Sequence, residues 1–146
     1  MKQTNSPSPP QLLGYLGLLP FIVPSIFLLY DQTHSIIWHH LLMTYAAIIL
    51  SFVAAMHWAF AMTLNSLSEK NSRWAYVWSV IVSLVAWAAL SMPAWYAPLV
   101  LAMMFTLHLW QDIKLCCMTG LPNWYLPLRK KLSLVATVCL LFSTLV

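Results

Sequence analysis

Long, uninterrupted apolar runs are the feature that most constrains what this chain can fold into. Five runs are long enough, or nearly so, to cross a membrane as helices: Leu12 to Tyr30, Leu41 to Leu64, Trp74 to Ser91, Trp95 to Gln111 and Leu132 to Val146. A helix needs about 20 residues to cross the hydrocarbon core of a bilayer. The runs lack the alternating pattern of a membrane barrel strand. We therefore expect an all-α, polytopic membrane protein, a five-transmembrane-helix bundle.

Composition argues against a soluble fold. Hydrophobic residues make up 62% of the 146 residues and charged residues only 7%, whereas about a quarter of a soluble domain is charged. We expect a polar N-terminal tail over residues 1–11 and one transmembrane domain over residues 12–146. The tail does not resemble a cleavable signal peptide, because it has a single lysine and no small-residue cleavage pattern.

The basic residues predict the orientation. They fall before the first run, between the second and third, and between the fourth and fifth: Lys2, Lys70, Arg73, Lys114, Arg129, Lys130 and Lys131. In a five-helix topology these segments share one side of the membrane. The positive-inside rule then predicts a cytoplasmic N-terminus and an outside C-terminus. The same distribution explains the net charge of +4 without nucleic-acid binding.

Small residues and prolines predict how the helices pack. The second run carries Ala47, Ser51, Ala55 and Ala59 four residues apart, with a second small face that includes His57. Small residues let helices approach closely in lipid, so this run is predicted to be the central helix. The first run should bend near Pro20 and Pro24, because each removes a backbone hydrogen bond.

Two histidines and one carboxylate are the candidate functional residues. His57 and His108 are the only ionisable residues within the runs, and such residues are functional candidates in a membrane. Asp112 follows His108 by four residues, so on a continuing helix it shares its face and could orient the imidazole. We predict one polar cluster of His57, His108 and Asp112. We also expect His57 to face protein and to hydrogen-bond the fourth helix, the first helix or the segment ending at Trp124 and Tyr125.

This cluster has several possible roles. It can pack helices together, serve as a proton relay or quinone site, or bind haem or a metal. A haem needs two histidines at similar depth. From the predicted helix ends, His57 lies about 10 Å and His108 about 5 Å from the inner surface, which argues against haem. No resident cofactor is expected, with haem or quinone as the alternatives.

Other residues give weaker signals. His34, His39 and His40 form a cluster at the predicted outer surface, better explained by solvation than by metal binding. The methionines are scattered and fit gap filling better than copper binding. The run from Arg129 to Lys131 can contact anionic lipid or simply precede the last helix. The sequence contains no phosphate-binding glycine loop, nucleophile elbow or HExxH motif, so we do not expect an enzyme.

Three segments, LGYLGLLPF, ILSFVAAMHWAFAM and LPNWYLPLRKKLSLVATVCLL, carry a family resemblance. Together they resemble the domain of unknown function 3429 family, bacterial proteins similar to transmembrane protein 69 of mitochondria. The most specific parts are His57-Trp58, Trp124-Tyr125 and Leu128-Arg129, and Asp112 falls where the family tends to carry an acidic residue. Family members tend to have glycines around the His-Trp pair, where this chain has alanines. The resemblance implies a five-helix protein of the bacterial inner membrane and no particular reaction.

The expected function is therefore non-enzymatic. Small size, short loops and missing catalytic motifs favour an accessory or assembly subunit of a larger membrane complex. Its expected partners are the lipid bilayer and other membrane-protein subunits. The alternatives are a haem-, quinone- or metal-binding redox protein using His57 and His108, and a small transporter.

Overall fold

The computed structural model describes residues 9–64 and 66–146. These residues form six α-helices and one short 3₁₀ turn and contain no strand, which confirms the all-α prediction for them. The helices are α1 (Pro9–Leu16), α2 (Leu19–Tyr30), α3 (Ser35–Thr63), α4 (Glu69–Ala89), α5 (Ala97–Met118) and α6 (Tyr125–Phe142), with the 3₁₀ turn at Gln32–His34. Most of the predicted polar tail, including Lys2, lies outside the described residues.

Three stretches of the described chain are long and apolar enough to cross a membrane. They are Pro9–Tyr30, Gln32–Thr63 and Ala97–Met118. The fold is thus that of a helical membrane protein, with α3 at its centre in contact with α2, α4, α5 and α6.

The first predicted helix is interrupted. It divides into α1 and α2 at Gly17 and Leu18, just before Pro20, while Pro24 lies inside α2 without ending it. The Phe21 amide bonds the Leu18 carbonyl, so the Gly17 carbonyl loses its helical partner. The Tyr45 hydroxyl of α3 replaces that partner, donating to the Gly17 oxygen over 2.8 Å.

The two predicted small-residue faces of α3 are packed to different extents. Ala46, Ala54 and His57 are buried. On the other face Ala47 is buried, but Ala55 and Ala59 are exposed. The face of Ala47, Ser51, Ala55 and Ala59 is therefore not packed against protein toward the C-terminal end of α3, contrary to the prediction.

The predicted end of the fourth run at Gln111 and the predicted start of the fifth run at Leu132 also do not match the helix ends. Helix α5 continues to Met118 and α6 begins at Tyr125, leaving a short connection. Charged residues suggested the helix ends, yet Asp112 and Arg129 sit inside helices because they neutralise each other. Similarly, α3 starts at Ser35 rather than Leu41, which places His39 and His40 in the helix.

Candidate functional site

Asp112 is the centre of a buried polar cluster. Its Oδ1 is 2.8 Å from His57 Nε2 and accepts a 3.1 Å hydrogen bond from the Tyr125 hydroxyl. Its Oδ2 accepts a 2.8 Å bond from Arg129 Nε. Asp112 is 0% exposed, and its three partners are each at most 4% exposed. One carboxylate thus joins α3, α5 and α6 inside the bundle.

Helical spacing explains why these groups meet. Tyr125 and Arg129 are four residues apart on α6, so they share a face. His108 and Asp112 have the same spacing on α5. Because α5 and α6 run antiparallel on either side of a short connection, Asp112 lies opposite the first turns of α6. The tight turn at residues 119–124 is therefore what brings Arg129 to the carboxylate.

His108 occupies the second layer of the cluster. Its Nδ1 lies 3.1 Å from Trp78 Nε1 on α4. An indole N–H can only donate, so Nδ1 must accept, and the ring is a neutral imidazole with its proton on Nε2. This N–H has no acceptor in hydrogen-bonding geometry among the described residues. The backbone of Val53 is the polar group that lies close to the ring.

The predicted cluster of His57, His108 and Asp112 therefore forms, with one correction. Asp112 orients His57 on α3. His108, which lies on the same helix as Asp112, is oriented instead by Trp78. Helix α5 continues past Gln111 to Met118, so His108 lies further from the end of its helix than the sequence predicted. The two imidazole centroids lie only 4.7 Å apart, with planes inclined by 42°. His57 faces protein and bonds α5, as expected.

Three members of the cluster were not predicted as site residues: Trp78, Tyr125 and Arg129. Arg129 was interpreted as part of a basic run preceding the last helix. One signal pointed to it, since a carboxylate inside a membrane helix requires a cation partner. Arg129 lies on the next helix along the chain and shares a face with an aromatic hydroxyl, four residues after Tyr125.

The electrostatics of the site are those of a buried ion pair. Asp112 and Arg129 carry opposite charges at the centre of the bundle, and His57 and Tyr125 donate the further hydrogen bonds that a buried carboxylate needs. Removing one member of such a pair is strongly destabilising, because the remaining charge stays buried without compensation. The cluster can therefore fix the relative positions of three helices.

The geometry fits metal and haem poorly. His57, His108 and Asp112 place one potential ligand atom each within 4.8 Å of one another. A metal on His108 Nε2 would move the ring proton to Nδ1, where it would meet the Trp78 N–H. The guanidinium of Arg129 beside Asp112 opposes a second cation. A haem plane cannot enter between imidazole rings that already touch.

The predicted outer histidine cluster is divided between two environments. His34 Nδ1 lies 3.0 Å from the Asp31 carboxylate, and Trp38 donates to the same carboxylate over 3.1 Å. These two bonds, that of Trp38 first, lower the pKa of Asp31 below its usual value. His39 and His40 instead line a separate cavity of about 390 Å³ with the C-terminal Val146.

These features define a class: a helical membrane protein whose long apolar helices enclose a buried Asp–Arg–His cluster. The chain belongs to the DUF3429 family, described as a protein of unknown function, and that family's model matches residues 6–145. No solved structure matches the chain. The family resemblance predicted from the sequence is thus confirmed.

Proposed function

We propose that the chain crosses the bacterial inner membrane five times, with α1 and α2 forming the first span and α3 to α6 the others. The arrangement of the ends supports this. Asn71 at the start of α4 contacts Met118 at the end of α5, and Lys131 in α6 lies 3.5 Å from the Tyr15 hydroxyl of α1. The described Lys and Arg residues therefore gather at one end of the bundle, which the positive-inside rule assigns to the cytoplasm.

Helices α4 and α6 are the two proposed spans that are not among the three stretches long and apolar enough to cross a membrane. In α4 the charges are confined to its first turns, and the rest is apolar. Its 21 residues correspond to about 30 Å of helix. In α6 the charge of Arg129 is compensated by Asp112, and Lys130 and Lys131 can extend their ammonium groups to the interface. Both helices are thus compatible with a bilayer.

Within that membrane, we propose that the protein is a non-enzymatic accessory or assembly subunit of a larger complex. The observation that carries this is that both oxygens of Asp112 are engaged by three donors from two other helices. A carboxylate that carries a substrate or a proton across a membrane must exchange partners, whereas one held by three donors keeps its helices in place. Such a protein acts through the contacts that its outer surface makes with other subunits.

The outer face of α4 is the surface we assign to a protein partner. Trp74 and Trp87 are 49% and 69% exposed, and Val77, Val80 and Leu84 lie between them. Large aromatic side chains are enriched at the centres of protein interfaces. This face has no partner within the described chain.

Site-specific photo-crosslinking tests this proposal. A photoreactive residue replaces Trp87 in one variant and Leu134 in a matched control, since Leu134 is 65% exposed on α6. Irradiation of native membranes should give one discrete protein adduct from position 87 and none from position 134. The partner is then identified by mass spectrometry. Lipid adducts alone at both positions would contradict an accessory role through α4.

The redox and transport alternatives remain predictions. An absorbance spectrum and metal analysis of the purified protein test haem and metal binding, and an uptake assay in proteoliposomes tests transport.

A further inference from the structure

A cavity of about 350 Å³ lies between α1, α2, α3 and α6. Its walls are almost wholly apolar, with Leu13, Phe21, Ile49, Val53, Leu128 and Ala136 among them. This volume falls within the range of small-molecule sites, about 300–1,000 Å³. Phe52, 67% exposed, lines one side, so the cavity borders the lipid-facing surface.

Arg129 lines the same cavity, close to Tyr125. It is only 4% exposed, and it donates to Asp112 through Nε. Its Nη2 is fully buried and has no partner among the described residues. That nitrogen carries two N–H donors, and buried donors are normally paired. Arg129 lines the cavity, so a small shift of its guanidinium would let a guest reach these donors, and a guest that suits this site has an acceptor attached to an apolar body.

Charge decides between acceptors. The positive charge of Arg129 is already matched by Asp112, so an anionic guest would leave an uncompensated negative charge inside the membrane. A neutral carbonyl oxygen meets the donors without that penalty. Aromatic side chains line the cavity on several sides, and aromatic rings favour stacking on a flat guest. They are Phe21, Phe52, Phe105, Trp124 and Tyr125.

We propose that this cavity binds a prenylquinone, with a ring carbonyl accepting from Arg129 and the isoprenoid tail leaving past Phe52 into the lipid. The quinone is a bound ligand here, and the proposal includes no electron transfer. It does not rest on the accessory role: a subunit can bind a quinone whether or not α4 contacts a partner.

The test measures binding of a decyl-substituted benzoquinone to the full chain in lipid nanodiscs. Trp124 lines the cavity, so bound quinone should quench part of the tryptophan fluorescence in a saturable manner. Arg129→Lys keeps a cation for Asp112 but loses the guanidinium donors, and it should weaken binding about ten- to a hundredfold. Leu132→Phe adds bulk to the cavity wall and should weaken binding about tenfold.

Leu134→Phe is the matched control, because Leu134 faces outward on the same helix. It should leave the dissociation constant unchanged within about twofold. If Arg129→Lys fails to fold, the site is still tested by comparing quinone binding to Leu132→Phe and to Leu134→Phe. Quenching that rises without saturation, or equally in all variants, would mean partition into the bilayer and would refute the site. A further refuting result is that oleate or phosphatidylglycerol displaces the quinone at a lower concentration than a second quinone does. That result would show that the cavity prefers an anionic guest and would refute the proposal of a neutral one.

Discussion

Replacing Asp112 with asparagine is the perturbation with the largest expected effect on stability. The carboxylate accepts from His57, Tyr125 and Arg129 at once. An asparagine has one acceptor oxygen, and its NH₂ group would face donors on the other side. The substitution therefore removes hydrogen bonds and leaves Arg129, 4% exposed, as a buried cation without a counterion.

The magnitude follows from that uncompensated charge. Removing one partner of a buried ion pair costs about 3–5 kcal/mol. This is a large share of the total stability of a typical domain, about 5–15 kcal/mol. In thermal unfolding it corresponds to a decrease in the midpoint of about 10 °C. The exposed pair of Glu69 and Arg73 gives the contrast, because its side chains are 89% and 79% exposed, and Glu69→Gln should shift the midpoint very little.

A double-mutant cycle makes the prediction specific to the pair. Unfolding is followed in detergent for Asp112→Asn, Arg129→Met and the double variant. Because the double variant contains no unpaired charge, it should recover at least half of the stability lost by Asp112→Asn alone. Additive losses, or a loss below about 1 kcal/mol in the single variants, would show that the ion pair does not hold the bundle together.

Three further substitutions test individual contacts by thermal unfolding. Trp78→Phe leaves His108 Nδ1 without its donor and should cost about 1–3 kcal/mol; no change would refute the tautomer assigned to His108. Tyr45→Phe keeps the aromatic ring but leaves the Gly17 carbonyl without its donor, so the free energy of unfolding should fall by about 1 kcal/mol. An unchanged midpoint would mean that this carbonyl accepts from another donor. The pKa of Asp31 is lowered in the fold, so its contribution is complete above the ordinary carboxyl pKa of 3.8 and is lost as pH falls through the lowered value. Asp31→Asn should therefore be less stable than wild type at pH 7, and the difference should narrow as the pH falls below 3.8; a difference that does not change with pH would contradict this.

The sequence predicted the helical class and part of the site because both depend on strong local signals. Apolar runs mark helices in lipid. His57 and His108 stood out as ionisable groups inside those runs, and Asp112 stood out by its spacing of four residues from His108. Their actual pairing was not predictable from spacing along α5. Asp112 bonds His57 of α3, and that choice is made by how the helices pack against one another.

Helix ends were the weakest predictions, for a related reason. Charged residues normally indicate the membrane surface, so Asp112 and Arg129 were placed between the fourth and fifth apolar runs. Each is acceptable inside a helix only because the other lies opposite it. Sequence reasoning that treats one residue at a time cannot detect this compensation. Tyr125 and Trp78 were missed because aromatic residues in membrane helices usually indicate packing or the interface.

Reporter fusions test the proposed five-span topology most directly. Alkaline phosphatase, which is active only outside the inner membrane, is fused after Ser68, Met92, Leu121 and Val146 in separate variants. Five spans with a cytoplasmic N-terminus predict activity at Met92 and Val146 and none at Ser68 and Leu121. Inactivity at Met92 would show that α4 does not cross the membrane, and inactivity at Val146 that α6 does not. Either result would contradict the five-span account.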